Sequence, residues 1–517
     1  VRIVVIGAGI AGLATSALLA RQGHDVTVVE KNDALGGRAG SWEKDGFRFD
    51  TGPSWYLMPE VFDHFYRLLG TSAEEQLRLR KLDPGYRVYF EGHEQPLDIA
   101  ASREENVALF ERVEKGAGAR LERYLDSARD TYALAIKYFL YTTFVDKRRV
   151  FTREVLAKGR RFVRLLRRPL WTLAAETVAD NRLRQILGYP AVFLGASPFR
   201  TPSLYHLMTH LDMADGVYYP MGGFARVIES IADLARAEGV EIRTGTEVQR
   251  ILVDGGRARG VATAEGEIEA DVVVSAADLH HTETQLLPAH ARTYDEDYWR
   301  RGTPGPSALL MYLGVTGELP ELEHHTLLFS EDWKQGFSAI FPPPGRRGAE
   351  WIARLPELPS LYVCKPSGVD AATAPAGSTN LFVLVPIAAD PNLGSRGDPA
   401  IEDLGDRVVE QIGEWAGIPD LAERVVVRRT VGPGDFVDDF HSWRGTALGP
   451  AHTLRQSAFW RAGNASKKVD SLYYAGGSTI PGIGLPMCLI SAELVVKRLL
   501  GDTSAGPLAE PLPRARP

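Results

Sequence analysis

An α/β architecture of at least two lobes is the fold class the sequence predicts, and three observations predict it. The chain has 517 residues, more than one hydrophobic core usually serves. Residues 1–30 read as strand, glycine turn, helix and strand, and the same alternation returns at 218–280 and again at 472–500. Between these stretches lie long helical and strand-rich inserts. The hydrophobic and charged fractions, 44% and 24%, exclude a disordered or collagenous chain. A net charge of −7 argues against a dedicated nucleic-acid binder. Cys364 and Cys488 are too few for a disulfide framework and have no metal-ligand spacing. They read as buried packing residues in a reducing compartment.

Residues 2–6, RIVVI, form a short β-branched run suited to a buried parallel strand. Gly7-Ala8-Gly9-Ile10-Ala11-Gly12 follows, then a helical stretch ending at Gly23, then DVTVVE closing on Glu30. In such a unit Gly7 permits the tight turn, Gly9 lets the backbone approach a pyrophosphate, and Gly12 allows close helix–strand packing. The helix N-terminus directs free N–H groups at the phosphates. Glu30 is placed to accept from ribose hydroxyls and would repel a 2′-phosphate. The strand–turn–helix context raises G-x-G-x-x-G above a chance glycine turn and points to a bound dinucleotide.

Lys31 to Ala39, with Gly36, Gly37 and Arg38, continues directly from Glu30, and Asp50-Thr51-Gly52-Pro53-Ser54 comes soon after. Two glycines let the main chain hug a diphosphate or ribityl chain, and Arg38 offers a guanidinium fork to phosphate oxygens. These segments resemble the GG-R and D-x-G motifs of the FAD-dependent amine oxidase and phytoene desaturase superfamily. Further segments narrow the resemblance to the bacterial phytoene desaturases: YPMGG (219–223), PSGVDAATAPAGSTNLFVLVPI, GTALGPAHTLRQSAFWR and LYYAGGSTIPGIGLPMCLISAELV. Together they span nearly the whole chain.

The resemblance implies FAD as cofactor and a long, uncharged polyisoprenoid as substrate, chiefly 15-cis-phytoene oxidised towards lycopene. Electrons would pass to oxygen or a quinone. It implies a Rossmann-like FAD-binding domain, a β-sheet substrate lobe and a helical, membrane-associated subdomain. It places Val248 near the adenine, and Gly476, Gly477 and the 481–486 loop, with Gly484 and Leu485, near the flavin ring. Sibling activities stay open: a diapophytoene desaturase, a hydroxycarotenoid 3,4-desaturase, a ketolase-like oxidase, or a non-redox prenyl-binding escort of the same fold. A flavin amine oxidase fits the C-terminal segments less well.

The expected domains follow. Residues 1–100, 216–280 and 440–502 form the FAD-binding domain, 101–215 the helical subdomain, 281–439 the substrate lobe, and 503–517 a flexible tail. Ser102-x-x-Glu105 predicts a helix start. DGG (254–256) and EG (265–266) predict hairpin turns, and FPPPG (341–345) a proline-rich loop.

The charge-free runs 3–20, 371–389 and 471–492 are all broken by Gly, Pro, Ser or Thr, so neither a membrane span nor an export signal is expected. Residues 147–168 carry ten Lys/Arg against Glu154, a local charge of +9 that leaves −16 elsewhere. Phe151, Val155, Phe162, Leu166 and Leu170 make an apolar stripe beside this basic face, Pro169 should end the helix, and Trp171 is a candidate interface anchor. The segment suits an anionic membrane surface, and the expected location is cytoplasmic and peripheral to a membrane.

Hydride abstraction needs an acceptor, which a flavin supplies. No catalytic side chain stands out: His206, His210, His280, His281 and His441 each read more simply as a core or surface histidine. No metal motif is present.

Overall fold

The computed structural model describes residues 1–341 and 353–514. FPPPG lies, apart from Phe341, outside the described residues.

The first strand, β1 (Arg2–Ile6), leads through the glycine turn into α1 (Ile10–Arg21) and β2 (Asp25–Val29). Every residue of α1 is buried, which explains its all-round small and apolar sequence. The sheet is completed by β3 (Glu241–Arg243), β4 (Val272–Ser275) and β5 (Leu472–Tyr474), in the order β5–β4–β1–β2–β3. All four pairings are parallel, with Val4 opposite both Val273 and Thr27. The helices Gly223–Ala237 and Leu485–Leu500 share the core of α1. The nucleotide lobe is therefore assembled from three separated stretches. The predicted hairpins form a three-stranded antiparallel meander over residues 248–269.

The second lobe is built on a seven-stranded sheet. Its strands run Val425–Val431, Ser307–Thr316, Ser378–Ile387, Leu361–Cys364, His325–Phe329, Tyr86–Phe90 and Leu97–Ile99. Alternate residues serve two cores. Leu309, Met311 and Leu313 pack with the helix Pro399–Ala416, whereas Leu310 and Tyr312 face the other side.

One expected boundary is corrected here. Residues 86–99 join the substrate sheet rather than the nucleotide lobe, because Tyr86–Phe90 pairs in parallel with His325–Phe329. The described residues of the tail lie against the body of the protein. Lys497, wholly buried, donates to the carbonyls of Ser504 and Gly506, the Leu512 N–H donates to Leu68 O at 3.0 Å, and the Leu512 side chain is buried.

Residues 103–215 are mainly helical. Ser102 caps the helix Arg103–Val113 by accepting the Glu105 N–H, as predicted. The basic segment is a chain of short pieces, Lys147–Val150, Arg153–Ala157 and Gly159–Arg167, and stops before Pro169. Trp171 is no free anchor: it is half-buried, with its ring 4.9 Å from Phe199 and 5.8 Å from Trp333. No described helix is long and apolar enough to cross a membrane.

Candidate active site

A continuous cavity of about 1040 Å³ runs from the glycine turn, between the two lobes, to the helical subdomain. Of the residues singled out from sequence, Gly7, Gly9, Glu30, Lys31, Gly36, Gly37, Arg38, Gly52, Pro53, Val248, Gly476, Gly477, Gly484 and Leu485 all line it. Gly12 does not. A Cβ there would lie 1.9 Å from Gly7 O, so its role is the close packing of helix on turn.

The nucleotide end is a backbone cradle. Gly9 and Gly36 form an isolated bridge, and the Gly36 N–H donates to Ala8 O at 2.9 Å. Gly36 has φ +101°, a conformation that favours glycine. A Cβ on Gly52 would sit 2.2 Å from Arg38 O. The Glu30 carboxylate is buried and accepts from the N–H groups of Ala8 at 2.7 Å and Asn32 at 3.0 Å. Lys31 Nζ donates to Asp438 O at 2.6 Å. Arg38 Nη2 donates to Ser442 Oγ at 2.8 Å, while its buried Nε has no partner. Burial pulls the Arg38 pKa down. A half-buried cation without an ion pair among the described residues, beside bare glycine backbone, is chemistry that fits a diphosphate.

Past β5 the loop 476–484 turns into the helix Leu485–Leu500, whose first turn lines the cavity. Arg461 anchors this loop, donating to Gly477 O at 2.5 Å and Thr479 O at 3.0 Å. Burial lowers its pKa to about 10. His452 packs against Gly482, where a Cβ would lie 2.1 Å from Nε2; burial pushes its pKa down to about 3.

The other half of the cavity is apolar and aromatic. Trp55, Tyr189, Phe193, Phe329 and Tyr362 line it. Trp55 stacks on the buried His325, with centroids 4.3 Å apart and planes 9° apart. Tyr362 Oη lies 2.7 Å from both Ser54 Oγ and His325 Nδ1. The stripe residues Phe151, Val155, Phe162 and Leu166 also face the cavity. At one mouth, lining residues are exposed to solvent: Phe151 by 58%, Leu156 by 62% and Trp460 by 52%.

Of the histidines considered from sequence, His281 and His441 line the nucleotide end, stacked 4.1 Å apart, and His441 Nε2 is 2.8 Å from Glu247. His206, His210 and His280 do not line the cavity. Sequence reasoning missed Trp55, Tyr189, Tyr362, His452 and Arg461, because only tertiary pairing brings them here. His324, His325 and Cys364 bring ligand-type atoms within 4.8 Å of one another, all buried. Cys364 is buried and Cys488 half-buried, and both are unpaired.

The class that this fold and cradle define is also what comparison with known proteins gives. Residues 10–500 match the family described as flavin containing amine oxidoreductase, to which the chain belongs. An oxidoreductase of known structure from Methanosarcina mazei shares the fold, with a TM-score of 0.62 at 18% identity, covering 96% of this chain and all of that one. Within that class the chain is a member of the carotenoid desaturases. It is 41% identical over 503 residues to a carotenoid 3,4-desaturase of Haloarcula japonica, covering 97% of this chain and 98% of the relative. It is 36% identical over 507 residues to a zeta-carotene-forming phytoene desaturase of Myxococcus xanthus, covering 96% and 94%. The protein is accordingly a flavin-dependent oxidoreductase.

Proposed function

We propose that this chain introduces double bonds into phytoene, 15-cis-phytoene being the substrate and lycopene the direction of the reaction. The observation that carries the reading is the single cavity joining a glycine cradle to a long apolar channel whose mouth is rimmed by exposed apolar side chains. A dinucleotide occupies the cradle, and the channel takes a linear polyisoprenoid that has no polar group to recognise.

When bound, FAD supplies the hydride acceptor. Gly9, Gly36 and Gly37 give it bare backbone, Glu30 takes the ribose hydroxyls, and Arg38 meets the phosphates. Gly52 and Pro53 shape the cradle behind Arg38, Val248 lies along the adenine, and Gly476, Gly477, Gly484 and Leu485 meet the ring. The N-terminal N–H groups of the helix Leu485–Leu500 stabilise charge there. The aromatic walls hold the chain and exclude water.

The substrate enters from a membrane. Phe151, Leu156, Val163, Phe459 and Trp460 dip into the apolar phase. Arg153, Arg160, Arg164 and Arg167, all exposed and without an ion pair among the described residues, face the headgroups. The acceptor that reoxidises the enzyme is oxygen or a membrane quinone.

Expression in a host that accumulates phytoene, followed by pigment analysis, tests the assignment. Coloured polyenes are the expected result; unchanged phytoene beside well-expressed, flavin-loaded protein overturns it. The Haloarcula japonica relative supports a second reading, 3,4-desaturation of a carotenoid. A host supplied with more conjugated carotenoids separates the two.

A further inference from the structure

Removing two hydrogens from a saturated carbon pair takes a hydride acceptor and a proton acceptor. The flavin serves as the first, and nothing above provides the second. The apolar half of the cavity contains few groups able to hold a proton. Tyr132 leads to Glu60, which is exposed to solvent. Tyr362 leads to His325, whose burial holds its pKa well below the ordinary histidine value and opposes an imidazolium.

Tyr189 is different. Its ring lines the cavity 6.2 Å from Trp55 and 5.4 Å from Phe193. Its hydroxyl donates to Asp212 Oδ2 at 2.8 Å. Asp212 is 2% exposed, and its only other side-chain partner among the described residues is the hydroxyl of the buried Tyr86, at 3.1 Å on the same oxygen. Oδ1 is buried and meets no side-chain donor among the described residues, while the backbone N–H groups of Asp212 and Met213 moderate the carboxylate's shift. No cation pairs with this carboxylate among the described residues. It sits in a π-helical turn, Leu211–Asp215, an irregularity found frequently at functional sites.

We infer that Tyr189 and Asp212 form the proton-accepting relay of the desaturation. This rests on the reading of the chain as a carotenoid desaturase. One C–H bond breaks with its electron pair leaving as hydride to the flavin, which oxidises the substrate by two electrons and leaves an allylic cation. The neighbouring C–H bond then breaks. Its electron pair becomes the new π bond, its proton passes to Tyr189 Oη, and the Tyr189 hydroxyl proton passes to Asp212 Oδ2. Cation and carboxylate are both consumed, so the dry site ends without either charge. Burial pushes the Asp212 carboxyl up to about 7, where a base both starts ionised and holds a proton. Trp55 and Tyr189 both line the cavity, and aromatic rings stabilise a nearby cation. Tyr189 is the catalytic residue of this relay, and Asp212 acts through it.

The test uses flavin-loaded full-length protein, with Tyr189→Phe and Asp212→Asn. Flavin content and substrate KM should stay within about twofold of wild type, and kcat should fall by about 100-fold or more. With substrate deuterated at the proton-losing carbon, the isotope effect on kcat should be larger in both variants than in wild type, because proton loss becomes limiting. Asp212→Asn should also melt higher than wild type at pH 8, since it removes a buried, unpaired charge. A merely structural Asp212 would instead melt lower. Wild-type turnover with unaltered kcat and isotope effect in both variants overturns the relay alone. A wild type that no carotenoid reduces overturns the desaturase reading, and the relay with it.

Discussion

Arg38 Nη2 donates to Ser442 Oγ at 2.8 Å, and that neutral hydroxyl is its one hydrogen-bond partner among the described residues. The Phe440 ring lies 5.7 Å away, and among the described residues no carboxylate makes a salt bridge to the guanidinium, the Asp278 charge acting on it only at longer range. A half-buried charge with so few partners costs stability until an anion arrives. Arg38→Met should therefore raise the melting temperature of the flavin-free protein while weakening FAD binding by about 10- to 100-fold, the size of a charged hydrogen bond. Thermal melts with and without FAD, and a fluorescence titration, measure both. A variant melting lower without FAD would contradict this account.

Gly52 tests the cradle from the backbone side. Its added Cβ would meet Arg38 O at 2.2 Å, and that contact is backbone, not a flexible side-chain tip. Gly52→Ala should cost about 1–3 kcal/mol of stability and lower the flavin retained after gel filtration. Full retention would show that the Arg38 backbone need not sit where it does.

The proposed membrane surface is narrower than the basic run suggested. Arg161 donates to Ser127 O and Arg168 pairs with Glu176, so neither is free for a headgroup. Changing Arg153, Arg160, Arg164 and Arg167 to Ser should remove about 1 kcal/mol of binding to anionic vesicles per residue. Flotation assays should show this loss, and added salt should mimic it. Changing Arg161 and Arg168 alone should have a smaller effect. Equal flotation of the fourfold variant and wild type would contradict the proposed surface.

Asp212 and Asp50 each contribute a fall in stability as pH rises from about 4 to about 7, opposed by the rise that the buried neutral histidines, His325 and His452 among them, contribute as pH rises through the acid range. Burial pushes Asp212 up to about 7 and Asp50 up to about 6, so the folded protein holds protons there that the unfolded chain, at ordinary carboxyl values, releases. Where a group binds more protons in the native state, its contribution to stability declines with pH, for these two carboxyls together by a few kcal/mol across the window. The Asp50 carboxylate accepts from the Phe224 and Ala225 N–H groups, which moderates its shift. Urea unfolding of wild type and Asp212→Asn at several pH values isolates the Asp212 part: the stability of the variant relative to wild type should rise from about pH 4 to about pH 7, and a constant difference would contradict it.

What was legible in the sequence was local. Gly7, Gly9, Gly12 and Glu30 declare their roles within one βαβ unit, and Arg38, Gly52 and Gly476 to Leu485 lie in short stretches whose backbone demands show in their glycines. What was hidden depends on long-range pairing. Tyr362 comes opposite Leu327 only through strand register, and Asp212 meets Tyr86 across more than a hundred residues. Residues 86–99 alternate like any strand, and nothing local says which sheet they join. Trp171 carried an interface signal by composition, but its neighbours Phe199 and Trp333 are remote in sequence.

The most direct test of the account is an anaerobic single turnover. Flavin-loaded protein on anionic vesicles is mixed with vesicle-borne 15-cis-phytoene, and the visible spectrum is followed. The account predicts loss of the oxidised-flavin absorbance matched, mole for mole, by new double bonds in the extracted polyene. A flavin spectrum that stays oxidised while phytoene is recovered unchanged would contradict it.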